Sequence, residues 1–296
     1  MRLNLKFFIS VMFLLVSTVS LSKITCAQLK IPKTVLPTYW EKCVVMIEKK
    51  VQNDNGTATT APHGTGFLFF DRTLGTFLVT NKHILQGRDL VFIRYNKADS
   101  DLGKDNIRYL REPCKLFDSN IKPLWKAHPN PNIDVAAIQV VLPAKADARQ
   151  LEYSRFKSFD SLQVGEDVYF FGFPLNIFGL EGKGDFPILR AGIVSFKSFE
   201  LTNIGEQIID SSMFLIDGFS FGGNSGSPVL TKATFLDPKA TLIGIISGHV
   251  PLYNKKVIGA DTIAFEQNTG LAIAICADRI RETLELFRTK ESQQKK

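Results

Sequence analysis

The chain has 296 residues, 45% of them hydrophobic, enough to bury a large core in one domain or two. Its formal charge of +7 is concentrated at the ends: Arg2, Lys6 and Lys23 face no acidic residue in positions 1–27, and Lys290, Lys295 and Lys296 face only Glu291 in the tail. The body is near neutral, so basicity gives no reason to expect a nucleic-acid partner.

Residues 1–27 read as a secretory signal peptide. Arg2 and Lys6 form a basic start, Phe7 to Leu21 an apolar stretch, and Thr25-Cys26-Ala27 a small-residue cleavage site before Gln28. The apolar stretch is short of the roughly 20 residues a membrane span needs, so no stable membrane anchor is expected after cleavage. The mature chain is then secreted or periplasmic. Cleavage leaves Cys43, Cys114 and Cys276, an odd number. At most one internal bridge is possible, and the sequence does not choose it. So few cysteines in an exported chain point to a packed core rather than a disulfide framework.

The body reads as short strands between turns. They are predicted at Cys43–Glu48, Gly66–Phe70, Thr76–Thr80, Leu90–Tyr95, Val135–Val140, Asp167–Phe171, Ile188–Phe196, Gln207–Ile216, Pro228–Leu230, Thr241–Ser247 and Gly270–Cys276. Regular strand spacing without helical periods predicts an all-β barrel or sandwich. One helix is predicted over Ala277–Phe287, where Ile280, Leu284 and Phe287 recur at helical spacing; a disordered tail, Arg288–Lys296, follows it. Asn96–Ile107 is charged and predicts an exposed loop. A boundary falls in Leu142–Ser161, around Pro143. The organisation expected is 1–27 signal peptide, 28–150 first barrel, 151–276 second barrel, and 277–296 helix and polar tail, with the site in the cleft between the barrels. No cofactor and no metal are expected.

Three segments carry chemistry. His83 lies just past the apolar run Phe77–Thr80, Asp134 opens the run Asp134-Val135-Ala136-Ala137-Ile138, and Ser225 sits in Gly222-Gly223-Asn224-Ser225-Gly226-Ser227-Pro228. A serine hydroxyl needs an adjacent base to attack a carbonyl, and imidazole is the side chain whose ordinary titration lies near neutral pH. Glycines around the serine allow close backbone approach and unusual dihedrals. Of the other histidines, His63 reads as a loop residue and His128, beside Pro129 and Pro131, as exposed. Asp101, Asp105 and Asp118 lie in polar loops with no strand after them.

The order His83, Asp134, Ser225 resembles the trypsin-like (chymotrypsin-fold) serine peptidases. The α/β-hydrolase order would require aspartate and then histidine after the serine, and only His249 follows Ser225. The likeness spans Pro37 to Leu284. It implies two antiparallel six-stranded β-barrels and protein or peptide substrates. It also implies His83 as base, Asp134 as its orienter, Ser225 as nucleophile, and the backbone N–H groups of Gly223 and Ser225 as oxyanion hole. By the same likeness Ser247 lines the cleft and reaches Asp134, with Gly248 and His249 following on the substrate strand.

Several positions depart from digestive trypsins. Asn224 replaces the aspartate that receives a new N-terminal amine, and Ile84 replaces a disulfide cysteine. Phe219 stands where trypsin has the aspartate that binds basic side chains. The motif is closer to the bacterial glutamyl endopeptidases and Deg-type enzymes, although the second barrel takes up the residues after Ser225 and no appended peptide-binding domain is expected. Phe219 implies an apolar primary pocket; Ser220 and His249 binding an acidic side chain is the alternative. A catalytically silent relative that binds a partner through its cleft is the second class of function. The Asn176–Phe186 loop, with Ile177, Phe178 and Leu180, is the candidate to cover that cleft.

Overall fold

The computed structural model describes residues 39–54, 56–98, 108–176, 186–204, 207–209, 211–232, 240–258 and 261–294. The expected signal peptide and most of the Asn96–Ile107 and Asn176–Phe186 loops lie outside the described residues. Among those described, no helix is long and apolar enough to cross a membrane.

The first half is one antiparallel sheet built from β1 (Val44–Gln52), β2 (Ala58–Asp71), β3 (Gly75–Thr80), β4 (Leu90–Asn96), β5 (Tyr109–Lys115), β6 (Trp125–Ala127) and β7 (Ala136–Gln139). Its order is β5-β4-β1-β2-β3-β7-β6. It thus has seven strands rather than six; β5 and β6 share no ladder, and the hairpin just beyond them is bridged by Phe117 with Pro123 and by the Leu124 N–H to the Leu116 carbonyl at 2.9 Å. The composition of β5 explains the lack of a ladder between them: Pro113 lacks a ladder donor, and Arg111, Glu112 and Lys115 are charged edge residues.

The second half is the expected closed six-stranded barrel, ordered β12-β15-β14-β13-β8-β9. Its strands are β8 (Asp167–Gly172), β9 (Ile188–Lys197), β12 (Met213–Asp217), β13 (Pro228–Thr231), β14 (Leu242–Ile258) and β15 (Asp261–Cys276). A small hairpin, β10 (Thr202–Ile204) with β11 (Gln207–Ile209), stands apart, so the single predicted strand Gln207–Ile216 is two elements. β14 and β15 run far beyond the predicted Thr241–Ser247 and Gly270–Cys276.

One hydrophobic cluster joins the halves. Phe67, Phe69, Phe77 and Val79 of the first sheet are buried with Leu230, Ile245 and Ile275 of the barrel and with Ile280 and Leu284 of the C-terminal helix. Burial on this scale, worth about 25 cal/mol per Å² of apolar surface, fixes one half against the other. That helix, α2 (Ala277–Gln294), follows the four-residue α1 (Lys82–Leu85) in chain order.

α2 outlasts its predicted end at Phe287. Its polar last turns begin at Arg288, whose guanidinium lies 2.5 Å from the buried Asp71 carboxylate. The Phe287 ring packs edge-on to Phe77 with centroids 4.8 Å apart. His128 is buried rather than exposed, because Glu282 of the helix meets its Nε2 at 2.7 Å. His63 lies within β2 rather than in a loop.

Candidate active site

β3 pairs with β7 so that Thr80 stands opposite Ala136. This register sets Asp134, two residues before Ala136, beside the short α1 that carries His83. The Asn81 amide donates to the Asp134 carbonyl at 2.7 Å and ties the two segments together. His83 Nδ1 and Asp134 Oδ2 are 2.6 Å apart, and the His83 backbone N–H donates to Oδ1 at 3.0 Å. The Ser247 hydroxyl also donates to Oδ2, at 3.1 Å. Burial alone would push the Asp134 carboxyl up. The His83 ring and backbone N–H and the Ser247 hydroxyl outweigh it and hold the carboxyl below its ordinary value. The carboxylate is thereby kept ionised, and its contact fixes the Nδ1–H tautomer, leaving Nε2 as acceptor.

Ser225 lies in the turn before β13, clamped against the first sheet. Thr65 of β2 is the clamp: its N–H donates to the Ser225 carbonyl at 2.9 Å, and its hydroxyl to the Gly223 carbonyl at 2.7 Å. The Thr80 hydroxyl in turn donates to the Thr65 carbonyl at 2.7 Å. Two glycines make this approach possible. Gly226 has φ +91°, and a Cβ there would lie 1.8 Å from the Thr65 carbonyl oxygen. Gly223 has φ +97°, and its Cβ would lie 2.2 Å from the Phe173 oxygen. Behind the turn, Phe219 stacks on Phe221 with centroids 5.9 Å apart, and the Arg190 guanidinium lies 4.8 Å from the Phe221 ring centroid.

Within the turn the Asn224 N–H is taken by the Phe221 carbonyl at 2.9 Å and the Gly226 N–H by the Ile246 carbonyl at 2.9 Å. Among the described residues, the N–H groups of Gly223 and Ser225 have no such partner. The Ser225 hydroxyl donates to the Ser247 carbonyl at 3.5 Å, and no hydrogen bond joins it to His83. The Asn224 side chain is fully buried, with both its polar atoms unpaired beside the unpaired Ser227 hydroxyl.

The structure thus brings His83, Asp134, Ser225 and Ser247 together around one point. Gly248, next on β14, has open space where a side chain would be. The remaining expected pocket residues are arranged differently. Phe219 is 52% exposed and covers Gly270 of β15, so it is not a closed pocket floor. Ser220 is buried, and its carbonyl accepts from Asn268 at 2.5 Å. His249 Nε2 is engaged by Glu266 Oε1 at 2.8 Å, which sets a carboxylate where an acidic substrate side chain was the alternative. Thr65 and Asn268 were not legible beforehand. Each is an ordinary polar residue within a strand, and only strand pairing shows what it holds.

No curated protein matches the chain. Among solved structures, the HtrA-type protease AlgW, determined with a decapeptide, is similar at 16% identity and a TM-score of 0.47. The match covers 85% of this chain and 64% of that one, so this chain spans less than two thirds of that protein's length. The trypsin-like peptidase domain family matches residues 64–236, more than half of the chain and inclusive of His83, Asp134 and Ser225. The chain therefore belongs to the trypsin-like peptidase domain family.

Proposed function

We propose that this protein is a serine endopeptidase that hydrolyses peptide bonds through an acyl-enzyme on Ser225. The observation that carries this reading is the bidentate hold of Asp134 on His83, through ring Nδ1 and backbone N–H, beside the clamped serine turn.

In the first step a rotation about the Ser225 side chain takes its hydroxyl from the Ser247 carbonyl towards His83 Nε2. Ser225 Oγ attacks the substrate carbonyl carbon as Nε2 takes the hydroxyl proton. Asp134 stabilises the imidazolium through Nδ1–H. The carbonyl oxygen, now an oxyanion, accepts from the unpartnered N–H groups of Gly223 and Ser225. The C–N bond breaks as Nε2 returns the proton to the leaving amine. Water then hydrolyses the ester by the same proton path in reverse.

The primary pocket is proposed to accept apolar side chains against the Phe219 ring. The Glu266 carboxylate beside His249 argues against an acidic preference. Asn224, neutral and buried, offers no ion pair to a new amine, so activation by N-terminal insertion is not required. Residues 1–27 are assigned as an export signal, with the mature chain beginning at Gln28 and acting outside the cytoplasm. The body is proposed to divide into a first unit at 28–150 and a second at 151–276.

A catalytically silent, peptide-binding role is the second reading, favoured by the hydroxyl's present contact with Ser247. A fluorophosphonate probe separates the two. It is expected to modify Ser225 in the natural chain and to leave Ser225→Ala unmodified. An unlabelled natural chain, or labelling at another serine, would remove the acyl-enzyme mechanism.

A further inference from the structure

The last strand pair is longer than the barrel requires. β13 pairs with β14 only as far as Ile245, and β12 meets β15 only from Leu271 onward. Beyond these points, among the described residues, β14 and β15 continue as a two-stranded ribbon, with Pro251 opposite Asn268 and, further out, Ile258 opposite Asp261. Such a ribbon is marginal by itself and offers unpaired backbone groups on its outer edge.

Its base is nevertheless held firmly. The Thr269 hydroxyl donates to the Val250 carbonyl at 2.6 Å, and Asn268 ties β15 to the loop residue Ser220. The His249–Glu266 contact bridges the ladder on the way out. The ribbon also presents Leu252, Tyr253 and Phe265 at 49%, 57% and 46% exposure. Leu252 stands opposite Gln267 and Asn254 opposite Phe265, so Leu252 and Phe265 share one face while Tyr253 points to the other.

The outer edge of β14 begins at Ser247, against the nucleophile, and runs away from it. Lys255 and Lys256, both exposed, terminate it, since edge lysines discourage strand addition. We infer that the β14 edge from Pro251 to Asn254, with Leu252, Tyr253 and Phe265, is an extended subsite for an apolar segment of the polypeptide substrate upstream of the scissile bond. A strand added antiparallel to β14 runs towards its own N-terminus as β14 leaves the site. This segment therefore sits about five to eight residues before the cleaved bond. Alternate side chains of the added strand meet Leu252 and Phe265 on one face and Tyr253 on the other. The inference rests on the peptidase reading for its direction and register.

The test uses the Ser225→Ala full chain and fluorescein-labelled alanine- and valine-rich peptides, ending about four or about eight residues upstream of the bond. Fluorescence anisotropy is expected to show binding about tenfold tighter or more for the longer peptide. Leu252→Ser with Tyr253→Ser and Phe265→Ser should remove that gain. Equal affinity for both lengths would overturn the subsite, and the length comparison needs none of the three ribbon substitutions. A gain that survives the substitutions would overturn the assignment to these side chains. Fluorophosphonate labelling of the natural chain, run alongside, keeps the two readings apart. Labelling without a length effect removes the subsite alone. A length effect without labelling supports the binding edge and removes the peptidase.

Discussion

The first sheet and the closed barrel hold their parts of the site in opposite ways. The first sheet fixes His83 and Asp134 by strand register and by the two His83 bonds to the carboxylate, and the barrel adds a third from Ser247 of β14. The barrel holds Ser225 by close backbone approach, through glycines at positive φ, and leaves Asn224 and Ser227 buried with unpaired polar atoms. Buried polar groups without partners cost stability, and such a turn persists only where neighbours hold it. Here the neighbour is the other half, through Thr65. The acid–base pair is held mainly within its own half, with one bond from the barrel, whereas the nucleophile turn is held by the first sheet across the cleft.

The sharpest break on the first-sheet side is Asp134→Asn. It should leave thermal stability close to the parent's and lower kcat by on the order of 10⁴, because the amide favours the wrong imidazole tautomer. Steady-state kinetics and a melting curve on the same sample check both halves of that statement. Near-normal turnover would mean that another carboxylate serves His83.

On the other side, Gly226→Ala should act through the backbone. Positive φ and collision with the Thr65 carbonyl together are expected to destabilise the chain by about 3 kcal/mol or more. Activity should fall with fluorophosphonate labelling, while the His83–Asp134 contact persists in an NMR spectrum of the imidazole. A fully stable, active Gly226→Ala chain would show that the clamp does not govern the turn.

A pH titration sharpens the view of the first sheet. Burial would raise the Asp71 carboxyl, but bonds from Thr73, Arg288 and Leu74 hold it down at about 2. A carboxyl depressed in the folded state contributes stability that is fully present above its unfolded pKa of about 3.8 and disappears as pH falls through about 2. Asp71→Asn should therefore cost roughly 2 kcal/mol at neutral pH. It should also flatten the loss of stability between about pH 4 and pH 2. Unfolding curves at stepped pH would contradict this if parent and variant differed by the same amount throughout. The smallest effect expected is that of Ser247→Ala, which removes one of three hydrogen bonds to Asp134. It should lower kcat by roughly five- to tenfold, about 1 kcal/mol, with little change in stability.

The part of this arrangement written in local pattern was legible in the sequence. His83 and Asp134 each adjoin an apolar strand run, and Ser225 sits in a glycine-rich turn, so residue type and neighbours marked them. The seven-stranded first sheet was not legible, because β5 is polar, β6 is short, and neither carries an alternating apolar signal. The ribbon was missed for the same reason: Asn254, Lys255, Lys256 and Glu266 dilute the period that elsewhere marks a strand. His128 and Arg288 looked like surface residues because their partners, Glu282 and Asp71, are remote in sequence and meet them only once α2 docks. The role of Thr65 likewise depends wholly on which backbone faces it across the cleft.

Pre-steady-state hydrolysis of a p-nitrophenyl ester, followed by peptide mapping of the quenched protein, tests most directly whether the clamped serine is served by the His83–Asp134 pair. A burst of about one nitrophenolate per chain is predicted, with the acyl group on Ser225 and the burst slowed by orders of magnitude in Asp134→Asn. Linear release without an adduct, or an acyl group on any other residue, would contradict the account.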